Sequence, residues 1–72
     1  MKMKYFKDTD SLYIDLSESP SAESTEVSEG IVLDYDREGR LVGIDIDNAS
    51  NKVNLDRLIV SSLPGKVETD AA

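Results

Sequence analysis

Two segments of the chain alternate apolar and polar residues, and a short polar stretch interrupts each of them. The first is MKMKYF-KDTD-SLYIDL (residues 1–16) and the second is GIVLDYD-REGR-LVGIDID (residues 30–47). A period of two places successive side chains on opposite faces of a strand, so each segment is typical of an antiparallel hairpin. A chain of 72 residues with two hairpins has little room for another large element.

The register of the first hairpin follows from a four-residue turn at residues 7–10. This turn pairs Tyr5 with Leu12 and Met3 with Ile14, so that the apolar side chains share one face. A shift by one residue would place Met3 and Tyr5 beside polar residues and split the apolar set. The opposite face is predicted to hold Lys4, Phe6, Tyr13 and Asp15.

The second hairpin segregates its residues in the same way when residues 37–40 form a four-residue turn. Leu33 then faces Ile44 and Tyr35 faces Val42, whereas a turn of three or five residues would mix apolar with polar positions. A glycine within the turn supplies the positive φ that such turns need. The opposite face is predicted to hold the carboxylates of Asp34, Asp36, Asp45 and Asp47.

The segments outside the hairpins predict an edge strand and a helix. Residues 24–28 contain one large apolar residue, which is typical of an exposed edge strand. After the second hairpin, Asn54 is placed to cap a helix that ends at Pro64 and Gly65. The apolar residues at helical spacing are Leu55, Leu58, Ile59 and Leu63.

These elements predict an α+β fold. We expect an antiparallel sheet of four to five strands built from two hairpins, with one C-terminal helix packed on the apolar face. Residues 1–65 are predicted to form a single domain, and residues 66–72 a frayed C-terminal tail. Parallel pairing needs long crossover connections, for which the chain has little room.

The composition argues against most enzymatic chemistry. The chain contains no cysteine and no histidine, which excludes Ser–His and Cys–His nucleophilic pairs and the commonest zinc ligands. Catalysis by paired carboxylates needs a cleft and a carboxyl group shifted by burial, for which a chain of this size offers little room. We therefore expect no catalytic activity and no cofactor.

One segment resembles a calcium-binding loop. In DYDREGRLVGID (residues 34–45), acidic residues and a glycine occupy several EF-hand positions. An EF-hand needs a helix on each side, whereas both flanks here have a period of two, so the hairpin interpretation is favoured. A divalent ion shared by Asp34 and Asp45, together with Asp36 or Asp47, remains an alternative.

The charge indicates the class of partner. Fifteen acidic and eight basic residues give a net charge of −7, which disfavours nucleic acid and favours a basic protein, although solubility alone also explains such a charge. No segment approaches the roughly 20 apolar residues of a membrane span and the start of the chain is unlike a signal peptide, so we expect a cytoplasmic protein. Outward-facing aromatic and aliphatic residues also make the sheet a candidate homodimer: Phe6, Tyr13, Val32 and Leu41.

Two blocks of the sequence resemble a family of small prokaryotic proteins. YFKDTDSLYIDLS (residues 5–17) resembles the pattern Y-D-x-x-x-D-x-L-Y-I-x-L-S. Residues 24–50 are similar to a second block, in which an apolar-Asp-Tyr-Asp segment, a glycine turn, G-I-E-I and Ala-Ser follow one another. The family is that of domain of unknown function 2283. Phe6 stands where its pattern has Asp, and Asp45 where it usually has Glu.

The resemblance implies a function in protein binding. The family has no established activity, but its members often resemble the antitoxin of a toxin–antitoxin pair, beside a small basic ribonuclease-like toxin. We therefore expect an antitoxin-like module that meets the Lys and Arg residues of such a toxin. The alternatives are a structural or homo-oligomeric domain without catalysis and a weak divalent-metal binder. The predicted partner-binding residues are Asp34, Asp36, Asp45, Asp47 and Tyr13.

Overall fold

The protein is a single mixed β-sheet with one short helix. The computed structural model describes residues 1–71, and the side chains of residues 1–69. The sheet has six strands in the order β3-β4-β5-β2-β1-β6. The elements are β1 (Lys2–Phe6), β2 (Ser11–Asp15), β3 (Glu23–Ser28), β4 (Ile31–Tyr35), β5 (Leu41–Ile46), α1 (Ala49–Lys52) and β6 (Glu68–Ala71). The α+β class is confirmed, although the predicted sheet of four to five antiparallel strands is too small.

The first hairpin has the predicted register. Tyr5 lies opposite Leu12 and Met3 opposite Ile14 in the antiparallel pair β1–β2. Asp10 ends the turn with a φ of 52°, a left-handed conformation that Asp tolerates better than most residues. The alternation of apolar and polar residues was therefore sufficient to define this pairing.

The second hairpin reaches its predicted register by a different turn. Leu33 lies opposite Ile44 as expected, but Tyr35 lies opposite Leu41 instead of Val42. The amide of Asp36 donates to the carbonyl of Arg40, so the loop has three residues instead of four. A bulge between Asp34 and Tyr35 in the pairing then adds one residue on β5 and restores the even offset. The segregation rule was correct, but it did not distinguish one even turn from an odd turn plus a bulge.

The two edges of the sheet differ from each other. The predicted weak strand is confirmed as β3, which is exposed along its whole length and pairs with β4 alone. At the other edge, residues 68–71 form β6, which pairs in parallel with β1 where a frayed tail was predicted. The 21 residues from 47 to 67 provide the crossover that the sequence interpretation had considered too long for this chain. Ala72 of the predicted tail lies outside the described residues.

The predicted helix after Asn54 is wrong. The helix instead spans Ala49–Lys52, and Asn54 accepts a hydrogen bond from the amide of Asp56 at 2.9 Å without a helix following. Adjacent β-branched residues at 59 and 60 and two serines after them lower helix propensity. A helix of this length needs tertiary packing to form, and the side chains of residues 50–66 are exposed.

The apolar core is thin. It consists of Leu12, Ile46 and Ala49, with Met3, Tyr5, Ile14 and Ile44 packed against it. Among the described residues, no large side chain is fully buried. The molecule measures 33 × 31 × 20 Å, so its shortest dimension has room for the sheet and one further layer at the usual spacing of about 10 Å. That cover is incomplete, because no large side chain among the described residues is fully buried.

Candidate functional site

The outer face of the sheet is organised around Tyr13. Its ring lies on β2 across the backbone of Gly43 on β5, where a Cβ atom would lie only 2.6 Å from the tyrosine Cζ. Gly43 is consequently buried, and only the absence of a side chain leaves space for the ring. The glycine within β5 is thus explained by the tyrosine that lies over it.

Asp34 connects Tyr13 to the edge of the sheet. The Tyr13 hydroxyl donates a hydrogen bond of 3.0 Å to Asp34 Oδ2, and the Ser24 hydroxyl donates one of 2.6 Å to Asp34 Oδ1. Partial burial, followed by this hydrogen bond and the surrounding carboxylates, raises the pKa of Tyr13 to about 12. Tyr13 is therefore protonated at neutral pH and is held in place as a hydrogen-bond donor.

Negative charge is concentrated beside this network. Burial raises the pKa of the Asp45 carboxyl, and the carboxylates of Asp47 and Asp34 raise it further. Asp47 is exposed, and its Oδ1 accepts a hydrogen bond of 3.4 Å from the Ser11 hydroxyl. We name Tyr13, Asp34, Asp45 and Asp47 the acidic patch. The carboxylates of Asp34 and Asp47 thus make ionisation of Asp45 less favourable.

Asp36 is the one predicted binding residue that the structure uses elsewhere. It is 7% exposed, and its Oδ1 accepts hydrogen bonds of 2.9 Å from the amides of both Glu38 and Arg40. These backbone bonds, the one from Arg40 above all, lower the pKa of the Asp36 carboxyl below its ordinary value. Asp36 thus stabilises the hairpin turn and contributes little to the accessible patch.

A second tyrosine–aspartate network was not predicted. The Tyr5 hydroxyl donates a hydrogen bond of 2.7 Å to Asp10 Oδ1, and the Ser50 hydroxyl donates one of 2.6 Å to Asp10 Oδ2. The amide of Ala49 also donates to the Asp10 carbonyl at 2.9 Å. The bonds from Ser50 and then Tyr5 lower the pKa of Asp10, whereas that of Tyr5 is raised by its bond to Asp10. This network joins the first turn to α1.

The residues of both networks lie in the two sequence blocks that resemble the family, residues 5–17 and 24–50, and these blocks were the sequence feature that could have indicated them. Tyr5 and Asp10 are spaced positions of the first block, and Ser50 ends the second block. Tyr13 belongs to the first block and Asp34 to the second. Both networks therefore join one block to the other and connect the two hairpins and α1.

The opposite face of the sheet contains an apolar cleft. It has a volume of about 750 Å³ and lies between the sheet and the segment that follows α1. We name this space the apolar cleft. Its apolar lining comprises Met3, Tyr5, Leu12, Ile14 and Ile46 on the sheet, and Val53, Leu55 and Leu58 on the segment.

The described residues contain neither a recognisable metal cluster nor a helix that could cross a membrane. Within that part of the chain, no three carboxylates are positioned to hold a metal ion, and both oxygens of Asp34 already accept hydrogen bonds. The flanks of residues 34–45 are strands, as the hairpin interpretation predicted. No helix in residues 1–71 is long and apolar enough to cross a membrane.

Comparison with known proteins agrees with the resemblance seen in the sequence. No curated protein and no solved structure matches the chain. A family model described as protein of unknown function (DUF2283) matches residues 2–50, which include β1 to β5 and the start of α1. Because this match covers more than half of the chain, the protein belongs to the DUF2283 family.

Proposed function

We propose that the protein is a non-catalytic binding module whose acidic patch receives a small basic protein, in the manner of an antitoxin that covers a ribonuclease-like toxin. The observation that supports this proposal most strongly is the environment of Asp45. Burial and two neighbouring carboxylates disfavour its charge, and a cation from a partner would offset this cost. The ionised form of Asp45 is therefore expected to be more stable when a basic partner is bound than when the chain is alone.

The geometry of Tyr13 and Asp34 supports binding over catalysis. Both side chains are fixed by hydrogen bonds across β2, β4 and β3, so they present a preformed surface. A rigid surface loses little conformational freedom when it binds. The tyrosine adds partly exposed aromatic area of the kind that is enriched in interfaces.

The charge of the toxin class fits the same surface. Ribonucleases of this kind use Lys and Arg to contact phosphate groups, and a patch of carboxylates competes for those residues. Residues 1–50 contain twelve acidic and five basic side chains, so the net charge of −7 belongs entirely to the part of the chain that holds the patch. Such asymmetry accelerates association with a basic partner and makes it sensitive to salt.

Co-purification with matched charge reversals tests the proposal. A tagged chain is recovered from its native cell, and the double variant Asp45→Lys/Asp47→Lys is compared with the control Glu18→Lys/Glu38→Lys. The control has the same net charge, and both of its residues are exposed. Asp34 is left unchanged because it accepts the bonds from Tyr13 and Ser24.

We expect a small basic protein in fixed proportion with the natural chain and with the control, and its loss from the Asp45→Lys/Asp47→Lys variant. Its RNA-cleaving activity should fall when the chain is bound. Equal recovery by both variants would show that the acidic patch is not the site. If the partner had no RNA-cleaving activity, the result would still support a binding module, but it would contradict the antitoxin role.

A further inference from the structure

The chain exposes more surface than a folded monomer of its mass. A protein of 7.9 kDa is expected to expose about 4,400 Å², whereas this chain exposes 5486 Å². Its radius of gyration is 12.4 Å, compared with about 11.2 Å expected for a compact domain of this length. The excess of about 1,100 Å² exceeds the roughly 800 Å² that each partner contributes to a standard interface.

Much of the exposed apolar surface lies in the segment between α1 and β6. Ile59 is 69% exposed, Leu58 is 53% exposed and Val60 is 47% exposed. The same segment forms one wall of the apolar cleft, in which Met3, Tyr5, Ile14 and the wall residues are only partly covered. Protruding aliphatic side chains and an apolar recess are therefore adjacent on one surface.

This adjacency is what a symmetric pair of identical chains requires. In an interface with twofold symmetry, the same patch serves both partners, so each patch must supply both the protrusion and the recess. Ile59 and Val60 are the protrusion, since neither lines the cleft of its own chain. We propose that a second copy of this chain covers the apolar face, with Ile59 and Val60 of each copy packed into the apolar cleft of the other.

The distribution of charge permits this contact. Residues 51–72 contain three acidic and three basic side chains, so the segment has no net charge although the whole chain has −7. The protruding segment of each copy has no net charge and meets an apolar recess in the other copy, and the acidic patch remains on the outward face of each sheet. The inference therefore does not depend on the proposed function, because the two surfaces lie on opposite faces.

Sedimentation equilibrium on the purified chain tests the proposal. We expect a mass of twice 7.9 kDa, with a dissociation constant of about 10 µM or tighter. The variant Ile59→Asp should weaken association at least tenfold, because it places a charge in the desolvated recess of the partner. The matched control Val27→Asp changes a residue that is 55% exposed on the edge strand β3, and it should dimerise like the natural chain.

Three results would overturn the inference. The natural chain could remain at 7.9 kDa up to millimolar concentration, which would leave the apolar face to another occupant. A dimer could dissociate with Val27→Asp but not with Ile59→Asp, or it could dissociate with Asp45→Lys/Asp47→Lys, and either result would place the contact elsewhere. Circular dichroism at low concentration should show the same fold for both single variants, because both residues are exposed.

Discussion

The sheet up to α1 and the segment that follows it are stabilised in different ways. In residues 2–50, two networks of tyrosine, aspartate and serine connect elements that are distant in sequence. Among the described residues, those from 58 to 67 donate no backbone hydrogen bond, and their aliphatic side chains are largely exposed. The first region is specified by directional contacts within the chain, whereas the second presents apolar surface that a partner is needed to cover.

The same substitution at two isoleucines should give the largest contrast between the regions. Ile46 is 8% exposed in the core, so Ile46→Ala should lower the free energy of unfolding by about 2–3 kcal/mol through lost burial and a cavity. Ile59 is 69% exposed, and Ile59→Ala should change it by less than about 0.5 kcal/mol at concentrations where the chain is monomeric. Urea denaturation measures both, and equal losses would mean that residues 53–63 belong to the core of the monomer.

The close contact between Gly43 and Tyr13 predicts the next largest effect. Gly43→Ala forces the ring away from Asp34, and it should lower the free energy of unfolding by about 1–3 kcal/mol. The control is Gly65→Ala, where a Cβ atom would meet no atom within 4 Å. The loss at Gly43 should shrink in a Tyr13→Ala background, because the obstructing ring is then absent. If both alanine variants were equally harmless, the ring would not occupy the place described here.

A pH-dependent loss of stability is predicted at Asp36. Hydrogen bonds to the turn amides lower the pKa of its carboxyl in the folded state, so its contribution is present above the unfolded value of about 3.9. That contribution disappears as the pH falls through the folded value. Asp36→Ala should therefore lower Tm at pH 7 and lose this effect in strong acid, whereas the exposed control Asp8→Ala should leave Tm unchanged. A constant difference at all pH values would assign the effect of Asp36 to packing instead of charge.

The smallest effect, and the only increase in stability, is predicted at Asp45. Burial and neighbouring carboxylates raise its pKa in the folded state, so stability is lost as the pH rises from about 3.9 through the folded value. Asp45→Asn should therefore raise Tm at pH 7 and have little effect at pH values below that range. Asp56→Asn in the neutral segment is the matched control and should leave Tm at pH 7 unchanged, because its side chain is exposed. A fall in Tm for Asp45→Asn would show that its charge is already compensated within the chain.

The alternation of apolar and polar residues predicted the strand register correctly where side-chain segregation determines it. It did not predict the features that depend on backbone conformation, such as loop length and bulges. The register of β1 with β2 and the pairing of Leu33 with Ile44 follow from segregation of apolar residues. The three-residue loop and the bulge on β5 preserve the same segregation, so the pattern could not reveal them. Helical spacing in residues 55–63 was misleading because no packed surface supports a helix there.

The candidate site was predicted in part for the same reason. Asp45 and Asp47 lie on the outer face as strand alternation requires, and Asp34 and Tyr13 lie beside them. The role of Asp36 depends on the turn geometry, and that of Asp10 depends on where α1 begins. Neither role can be predicted from the alternation of apolar and polar residues along a strand. Contacts between distant turns therefore had to come from the structure.

Hydrogen exchange of the backbone amides tests the contrast between the two regions most directly. At a concentration where the chain is monomeric, the amides of β1, β2, β4 and β5 should exchange slowly because they lie in paired strands. Those of residues 58–67 should exchange at nearly the rate of an unstructured peptide. Equal protection in both regions would contradict the account, since the segment would then be part of the monomer's cooperative fold and not a surface that awaits a second copy.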